Sequence, residues 1–264
     1  MRLHPNACAA RTHPHRDDPG WWVMLEKYLV YGATGGVGST LCRRLAAEGR
    51  KLHLVARDAD RLRPLGEELG ASWSAVDVLQ ADAITQVADE AGATLSGLAY
   101  AIGSINLKPF ERVTAADMER DFRLNAVGAA LAVQAALPAL RAAPTRASVV
   151  LFSSVAAQRG FPMHASISMA KAAVEGLVRS LAAVLAPAVR INAVALSLTD
   201  TPLAQGMTNN PRLRESIAAA HPLGRLGTAD DAAAMAAFLL SAQADWITGQ
   251  VLAVDGGRGA VAGK

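Results

Sequence analysis

Short apolar runs, many rich in β-branched residues, alternate with longer helical stretches from residue 25 onward. We expect strands at 27–32, 51–56, 72–76, 98–102, 148–152, 189–195 and 251–254. The helical patterns between them lie at 37–48, 60–69, 81–91, 117–143, 169–185 and 229–241. Because strands that alternate with helices form βαβ units, this order predicts an α/β protein with a seven-stranded parallel sheet covered on both faces. Seven strands at this spacing fit one doubly wound domain.

Composition argues against several kinds of partner. The chain has 264 residues, of which 52% are hydrophobic, so it can bury a core without structural metal or disulfides. Its net charge of +3 is too small to predict a nucleic-acid surface. The longest charge-free apolar stretch, 124–140, is interrupted by Asn125, Gln134 and Pro138 and is shorter than the roughly 20 residues of a membrane span. With two cysteines and no metal-ligand spacing, we expect a cytoplasmic protein without membrane or metal partners.

Residues 1–24 differ in character from the rest of the chain. They lack the apolar segment of a secretory signal, and the first regular pattern begins only at residue 25. We expect a disordered tail or a mis-assigned start, with Met24 opening the folded part. Metal binding by His4, His13 and His15 is weakly supported, because no ordered scaffold would hold these side chains.

A glycine-rich segment follows the first predicted strand and opens a helix. It contains Gly32, Gly35, Gly36 and Gly38. Glycines at this point let the backbone turn tightly and approach a diphosphate, and the helix N-terminus offers free N–H groups to the anion. A tight turn without a ligand is the alternative, but the strand–turn–helix context favours a dinucleotide site.

This glycine spacing, with further motifs, resembles the short-chain dehydrogenase/reductase family, whose glycine segment usually has Thr where this chain has Tyr31. The resemblance covers about residues 25–258 in order. Its other motifs are Asp77-Val78, Asn125, Ser154, Lys171, Thr201-Pro202 and Asp255-Gly256-Gly257. It implies a single-domain Rossmann-type doubly wound fold, a nicotinamide dinucleotide cofactor and a small-molecule substrate.

The resemblance also implies which residues bind the cofactor. Those in or beside the glycine segment and the fourth strand are Gly32, Thr34, Gly35, Gly36, Val37, Gly38, Ala101 and Gly103. Asp77 and Val78 would meet the adenine. Lys171 would bond the nicotinamide ribose, and Thr201 would lie near the nicotinamide amide or the diphosphate. Without the resemblance, Asp77 is better interpreted as a turn residue and Thr201 as a helix N-cap.

The end of the second strand distinguishes the two nicotinamide dinucleotides. NAD(H) is favoured by a carboxylate there, which accepts from the ribose hydroxyls, but the aligned residue is Ala56. Arg57 follows, and its guanidinium can hold a 2′-phosphate bidentately. A solvated loop arginine is the alternative, and Asp58 is interpreted as the next N-cap. We therefore expect NADP(H) rather than NAD(H), with residues 25–264 as the NADP-binding Rossmann-fold domain.

The family's usual catalytic set of Asn, Ser, Tyr and Lys is incomplete in this chain. The resemblance assigns a water relay to Asn125, the substrate oxygen to Ser154 and the ribose to Lys171. Four residues before Lys171, where the family has Tyr, stands Ile167, which carries no ionisable proton. His164 is the candidate replacement acid, because histidines titrate near neutral pH. A histidine at the pocket rim is the alternative.

Two serines flank Ile167, and neither is a strong candidate acid. Ser166 and Ser168 each point about 100° away from it on a helix, and a hydroxyl alone is a poor acid. We interpret Ser166 as the N-cap of that helix. A second departure from the family is Leu196-Ser197, where Pro-Gly is usual after the sixth strand.

These observations predict an NADP(H)-dependent oxidoreductase with an altered proton donor, acting on a small carbonyl compound or an activated alkene. The alternative is a catalytically impaired dinucleotide-binding protein with a sensor or regulatory role. We expect a mostly apolar substrate pocket lined by 103–108, 158–164 and 196–208. The predicted helices at 117–143 and 169–185 are apolar nearly all round, which indicates subunit contacts in a homodimer or homotetramer.

Overall fold

The computed structural model describes residues 26–261, so the tail expected at 1–24 and its histidines lie outside the described residues. The strands are β1 Lys27–Tyr31, β2 Lys51–Ala56, β3 Ser72–Ala75, β4 Gly97–Tyr100, β5 Ala147–Ser154, β6 Val189–Leu196, β7 Thr199–Asp200, β8 Gly227–Thr228 and β9 Val251–Val254. The helices are α1 Gly36–Ala47, α2 Ala59–Leu69, α3 Ala81–Ala91, α4 Ala115–Phe122, α5 Gly128–Arg141, α6 Ala165–Leu185, α7 Gln205–Thr208, α8 Pro211–Ala219 and α9 Ala229–Leu240.

The main sheet has seven parallel strands in the order β3-β2-β1-β4-β5-β6-β9. This confirms the predicted doubly wound α/β fold. Chain order reverses between β1 and β4, so the loops that follow these two strands leave the sheet in opposite directions. The crevice between such loops, outside the carboxyl ends of the strands, is where doubly wound proteins bind ligands.

Alternate residues of each central strand enter two separate cores, one on each face of the sheet. In β5, Val149 and Leu151 belong to one core, whereas Val150 and Phe152 belong to the other. Helices α3, α5 and α6 contribute to the first core, and α1, α2 and α9 contribute to the second. A strand buried on both faces must be apolar at nearly every position, which explains the continuous apolar runs in the sequence.

The longest predicted helix is interrupted by a π-helical turn at Arg123–Val127, which separates α4 from α5. Within it, Nδ2 of Asn125 donates to the carbonyl oxygen of Asp121 at 2.8 Å. The hydroxyl of Tyr100 donates to the carbonyl oxygen of Leu124 at 2.8 Å. Side-chain donors inserted among helix carbonyls are a recognised cause of such interruptions, and wide turns of this kind are frequent at functional sites.

Several smaller features also differ from the sequence-based expectations. Helix α6 begins at Ala165, four residues earlier than predicted, and α8 was not predicted at all. The signal for α8 was present, because the side chain of Asn210 caps the helix and Pro211 occupies its first turn. The two-residue strands β7 and β8 pair only with each other, a tertiary contact that no local pattern encodes.

One helical span among residues 26–261, Ala115–Arg141, is long and apolar enough to cross a membrane when judged by length and composition alone. Half of its most apolar window is buried inside the protein. Buried core helices pass the same test, so this span is weak evidence for a membrane segment.

Candidate active site at the carboxyl edge of the sheet

The turn after β1 depends on two glycines. Gly32 has a φ of +78°, and a Cβ atom there would lie 2.6 Å from the carbonyl oxygen of Ala101. A Cβ atom on Gly38 would lie 2.1 Å from the carbonyl oxygen of Gly32. Both neighbours are backbone atoms, which cannot move aside as the end of a flexible side chain can. These close approaches bring three of the predicted cofactor positions together.

The N-terminus of α1 is open beside this turn. The helix begins at Gly36, and its N-cap residue Gly35 has no side chain to bond the first N–H groups. The N–H groups of Gly36, Val37 and Gly38 have no partner within the helix, and the helix dipole favours an anion near them. The side chain of Thr201 packs against Gly36, because a Cβ atom on Gly36 would lie 2.8 Å from the Cβ of Thr201. Thr201 and Gly36, two of the predicted cofactor positions, are therefore adjacent.

The end of β2 places basic side chains beside the same turn. Arg57 is exposed, and Nη2 of Arg61 donates to the carbonyl oxygen of Thr34 at 2.7 Å. Asp58 caps α2 through bonds from the N–H groups of Asp60 and Arg61, which confirms its interpretation as an N-cap. Sequence reasoning missed Arg61, whose position in the first turn of α2 directs it back toward the glycine segment.

The predicted adenine and nicotinamide residues occupy turns at the ends of β3 and β7. The carboxylate of Asp77 accepts the N–H of Leu79 at 3.0 Å, so Asp77 is a turn residue next to buried Val78. Thr201 stands at the N-cap position of a 3₁₀ turn, but its hydroxyl donates to the carbonyl of Thr199 at 3.3 Å and caps nothing. Its side chain therefore contributes mainly through packing on the glycine segment.

Lys171 is buried at the centre of the site, with 7% of its surface exposed. Its Nζ donates to the carbonyl oxygen of Phe152 at 2.9 Å. Burial lowers the pKa of the Lys171 ammonium to about 8, and the nearby carboxylate of Asp121 opposes that shift. A Cβ atom on Gly103 would lie 3.3 Å from this Nζ and 3.2 Å from Oδ1 of Asn125. Three predicted site residues thus meet at one point.

A buried polar network surrounds Asp121 beside this point. Its carboxylate accepts bonds from Ser104 at 2.7 Å, Asn106 at 3.1 Å and Ser166 at 2.5 Å. Asn125 joins the network, because its Nδ2 donates to Oγ of Ser104 at 3.1 Å. Oδ1 of Asn125 has no hydrogen-bond partner among the residues that the structure describes, so this buried acceptor is open to a ligand or a water molecule.

The interpretation of Ser166 as an N-cap is wrong. Helix α6 has His164 at its N-cap position, and Ser166 lies inside the first turn with its hydroxyl on Asp121. Sequence reasoning also missed Asp121. The available signal was its position four residues before Asn125, which places both side chains on the same helix face.

Ser154 ends β5 close to the same cluster. Its Oγ accepts the N–H of Ala156 at 3.1 Å, and no acceptor within residues 26–261 takes its own proton. The hydroxyl can therefore donate to a ligand oxygen. Ile167 lies one helical turn before Lys171 and is buried, so that position presents only hydrocarbon.

A cleft of about 480 Å³ opens beside the segment that follows β5. Its lining residues are Lys108, Phe110, Ala156, Ala157, Gln158, Arg159, Gly160, Phe161, Met163, His164, Ala165 and Ser168. The lining includes most of the predicted 158–164 stretch, Lys108 of the predicted 103–108 stretch and no residue of 196–208. Nδ1 of His164 lies 2.7 Å from the carbonyl oxygen of Pro162. Because a carbonyl only accepts, this nitrogen carries a hydrogen.

Sequence reasoning also missed a hydrogen-bonded pair at this edge, formed by Ser197 and His221. Ser197 follows Leu196, which pairs with Ser154 in the sheet. Oγ of Ser197 lies 2.8 Å from Nε2 of buried His221, and Nδ1 of His221 lies 2.7 Å from the carbonyl oxygen of Ile217. The carbonyl fixes the hydrogen on Nδ1, so Ser197 donates to Nε2 when the ring is neutral. The pair joins residues 24 positions apart, which no local spacing indicates.

Comparison with known proteins agrees with this arrangement. A family model described as enoyl-(acyl carrier protein) reductase matches residues 32–258. The cis-4-hydroxycyclohexanecarboxylate dehydrogenase of Sinomonas cyclohexanicum is 34% identical over 242 residues, covering 88% of this chain and 96% of that protein. The galactitol 2-dehydrogenase (L-tagatose-forming) of Cereibacter sphaeroides is 37% identical over 235 residues, covering 86% of this chain and 92% of that protein.

A solved structure of a short-chain type dehydrogenase/reductase from Mycobacterium ulcerans superposes with a TM-score of 0.85 at 29% identity, covering 91% of this chain and 92% of that one. The chain therefore belongs to the short-chain dehydrogenase/reductase family, and the resemblance found in the sequence is confirmed. Members of this family are oxidoreductases that bind nicotinamide dinucleotides and act on small molecules, so this protein is an oxidoreductase of that type.

The glycine turn makes a steric prediction. Gly38→Ala places a methyl group 2.1 Å from the Gly32 carbonyl oxygen, so the turn must shift. We expect a loss of about 1–3 kcal/mol in the free energy of unfolding and weaker dinucleotide binding. Gly206→Ala is the control, because a Cβ atom there meets no atom within 4 Å. Denaturant unfolding and fluorescence titration measure both; unchanged values for Gly38→Ala would contradict the steric argument.

Proposed function

We propose that this protein is an NADP(H)-dependent oxidoreductase that transfers hydride between the nicotinamide and a small carbonyl compound or an activated alkene. The observation that carries this proposal is the meeting of buried Lys171 with Asn125 and Gly103, at the sheet edge from which the glycine turn and the open N-terminus of α1 also rise. The two curated relatives are named for oxidising hydroxyl-bearing small molecules, which supports the substrate class.

The chain's own residues fit a nicotinamide dinucleotide. When bound, this cofactor supplies or accepts hydride. The three open N–H groups of α1 would hold its diphosphate, with Thr201 packed beside them. Lys171 would donate to a ribose hydroxyl, since its ammonium has one bond to Phe152 and further N–H groups to spare. Asp77 and Val78 would border the adenine.

The preference for NADP(H) is supported by the basic end of β2. Ala56 offers no carboxylate to the adenosine ribose, and Arg57 follows it in an exposed position. None of the ion pairs between described residues involves Arg57, so its guanidinium is available to a 2′-phosphate. Arg61, held against the Thr34 carbonyl, adds a second positive charge at the same place.

The proton donor departs from the family pattern in this proposal. Addition of hydride to carbon leaves an alkoxide or an enolate, whose oxygen needs a hydrogen-bond donor. The open hydroxyl of Ser154 would stabilise that oxygen, and His164, which lines the cleft, would supply the proton. Ile167 occupies the position that the family resemblance gives to Tyr, and it has no proton to donate.

A dinucleotide-binding protein with impaired catalysis is the second candidate. The observation that favours it is the buried Ile167, an apolar side chain where the usual acid would stand. In that case the glycine turn and Lys171 serve binding alone. Parallel measurement of NADPH binding and NADPH oxidation over a panel of ketones and enones separates the two candidates, because a sensor binds without turnover.

Self-association is part of the proposal. A shallow apolar groove crosses the outer face of the helices around the π turn and α6. Its lining residues are Phe122, Ala126, Val127, Ala130, Ala173, Gly176, Leu177 and Ser180. Small apolar side chains at the surface of two adjacent helices suit helix packing between two copies of the chain, so we propose a homodimer or homotetramer.

The cofactor preference is testable at Arg57. NADPH should bind at least about tenfold more tightly than NADH, since one charge-assisted phosphate contact is worth about 1.5–3 kcal/mol. Arg57→Ala should remove most of this difference in affinity. Arg63, which is exposed on α2, provides the control, and Arg63→Ala should leave the difference intact. Fluorescence titration with both dinucleotides measures this. Equal affinities in the unsubstituted protein would reject the NADP(H) preference.

The proton donor is testable at His164 and Ile167. His164→Ala should lower the rate of NADPH oxidation by about 10²–10⁴-fold, the usual share of a general acid. Ile167→Tyr should introduce a phenol one turn before Lys171 and favour ketone reduction, at some loss of stability from the added side-chain volume. Assays with one ketone and one enone, alongside NADPH titration as a folding control, measure both. Full activity in His164→Ala would show that His164 is not the acid.

Assembly is testable at the centre of the groove. Gly176→Glu places a charge there without a clash, since a Cβ atom on Gly176 meets nothing within 4 Å. We expect the unsubstituted protein to sediment as a dimer or tetramer. Gly176→Glu should raise the dissociation constant of that assembly at least about tenfold. Ala81→Glu, exposed on α3, is the control. A 27.4 kDa monomer for the unsubstituted chain would refute self-association.

A further inference from the structure

The lining of the cleft beside α6 contains basic side chains and one arginine that is unpaired within the described residues. Its basic lining residues are Lys108, Arg159 and His164, and none of the described lining residues is an aspartate or a glutamate. Lys108 is neutralised by Asp117, which lies 2.6 Å from its Nζ. Arg159 takes part in none of the ion pairs found between residues 26 and 261. Its charge therefore dominates the cleft.

A second arginine stands over the same aromatic ring. The guanidinium carbon of Arg159 lies 5.9 Å from the centroid of the Phe161 ring, and that of Arg258 lies 5.3 Å from it. Arg258 is likewise absent from the ion pairs of the described part of the chain. The two side chains come from segments 99 residues apart, one after β5 and one after β9. Arg159 and Phe161 line the cleft, and Arg258 adds a second cation at the same ring from outside that lining.

Most of the donors on these two guanidinium groups are unused by the protein. Within the described residues, Nη1 of Arg159 donates to the carbonyl oxygen of Arg258, and Nη1 of Arg258 donates to that of Ala220 at 2.7 Å. Each guanidinium has five N–H donors, so several remain. Both guanidinium carbons lie within cation–π distance of the Phe161 ring, and a free guanidinium fork suits bidentate contact with a planar anion.

We infer that Arg159 and Arg258 bind the carboxylate of the substrate, which is therefore a small hydroxy, oxo or unsaturated carboxylic acid. That the bound acid is oxidised or reduced rests on the proposed function. That its carboxylate binds at the two arginines does not. The ring of His164 lies 5.5 Å from the ring of Phe161, so the proposed proton donor and the anion site adjoin the same aromatic side chain. A cleft of about 480 Å³ accommodates a molecule of this size.

The test compares carboxylates with their uncharged amides. The probes are levulinate, crotonate and cyclohexanecarboxylate, each paired with its amide and titrated calorimetrically in the presence of NADPH. At least one carboxylate should bind about tenfold more tightly than its amide. Arg159→Gln and Arg258→Gln should each remove most of that difference. Arg141→Gln, an exposed arginine at the end of α5, controls for net charge and should leave the difference unchanged.

Two further variants guard against misfolding. Arg159→Lys and Arg258→Lys keep the charge but lose the planar fork, so they should show an intermediate loss of carboxylate affinity. Thermal unfolding reports whether each variant retains the fold. Equal binding of carboxylates and amides, no carboxylate binding at millimolar concentrations, or an equal loss in Arg141→Gln would each overturn the inference.

The same experiment separates this inference from the proposed reaction. Arginine-dependent carboxylate binding without NADPH oxidation by any probe would support the anion site and reject the reaction. Reduction of ketones by NADPH at the same rate with and without a carboxylate on the substrate, and with no effect of Arg159→Gln, would support the reaction and reject the anion site.

Discussion

A parallel sheet that is buried on both faces sends every strand in the same direction, and the whole site depends on that constraint. All seven strands of the main sheet end at one edge, and their loops lie there outside the two apolar cores. The glycine turn follows β1, Gly103 follows β4, and Ser154 ends β5. Residues far apart in the chain therefore lie in one crevice, since the carboxyl ends of parallel strands share one edge of the sheet.

The buried charge of Lys171 is the most demanding feature of that crevice. Its ammonium is held by the carbonyl of Phe152, and burial lowers its pKa to about 8. Because the unfolded chain binds this proton up to a higher pH, the charged lysine costs folding free energy below about pH 8, and the cost diminishes as pH rises above it. The carboxylate of Asp121, fixed by hydrogen bonds from Ser104, Asn106 and Ser166, offsets part of this cost.

The site has a part that would bind the dinucleotide and a part on which the proposed reaction and substrate depend. The open helix N-terminus and the meeting of Lys171 with Asn125 suit any nicotinamide dinucleotide enzyme of this fold. The proposed proton donor depends on Ile167, which is buried one turn before Lys171, and the proposed substrate class depends on the two arginines at Phe161. A common binding edge thus carries chemistry set by a few side chains in the loops around it.

Sequence alone determined the alternation of strands and helices, the glycine turn and the identity of Lys171, Asn125 and Ser154 as site candidates. These features are encoded locally, through apolar periodicity, the demand for small residues at a tight turn, and motif spacing. Tertiary structure alone decided the π turn at Arg123–Val127, where Tyr100 from a neighbouring strand bonds a helix carbonyl. It also decided the pairings of Ser197 with His221 and of Arg159 with Arg258, which join residues 24 and 99 positions apart. Such contacts depend on how the loops pack after the sheet has formed, and no spacing along the chain records that packing.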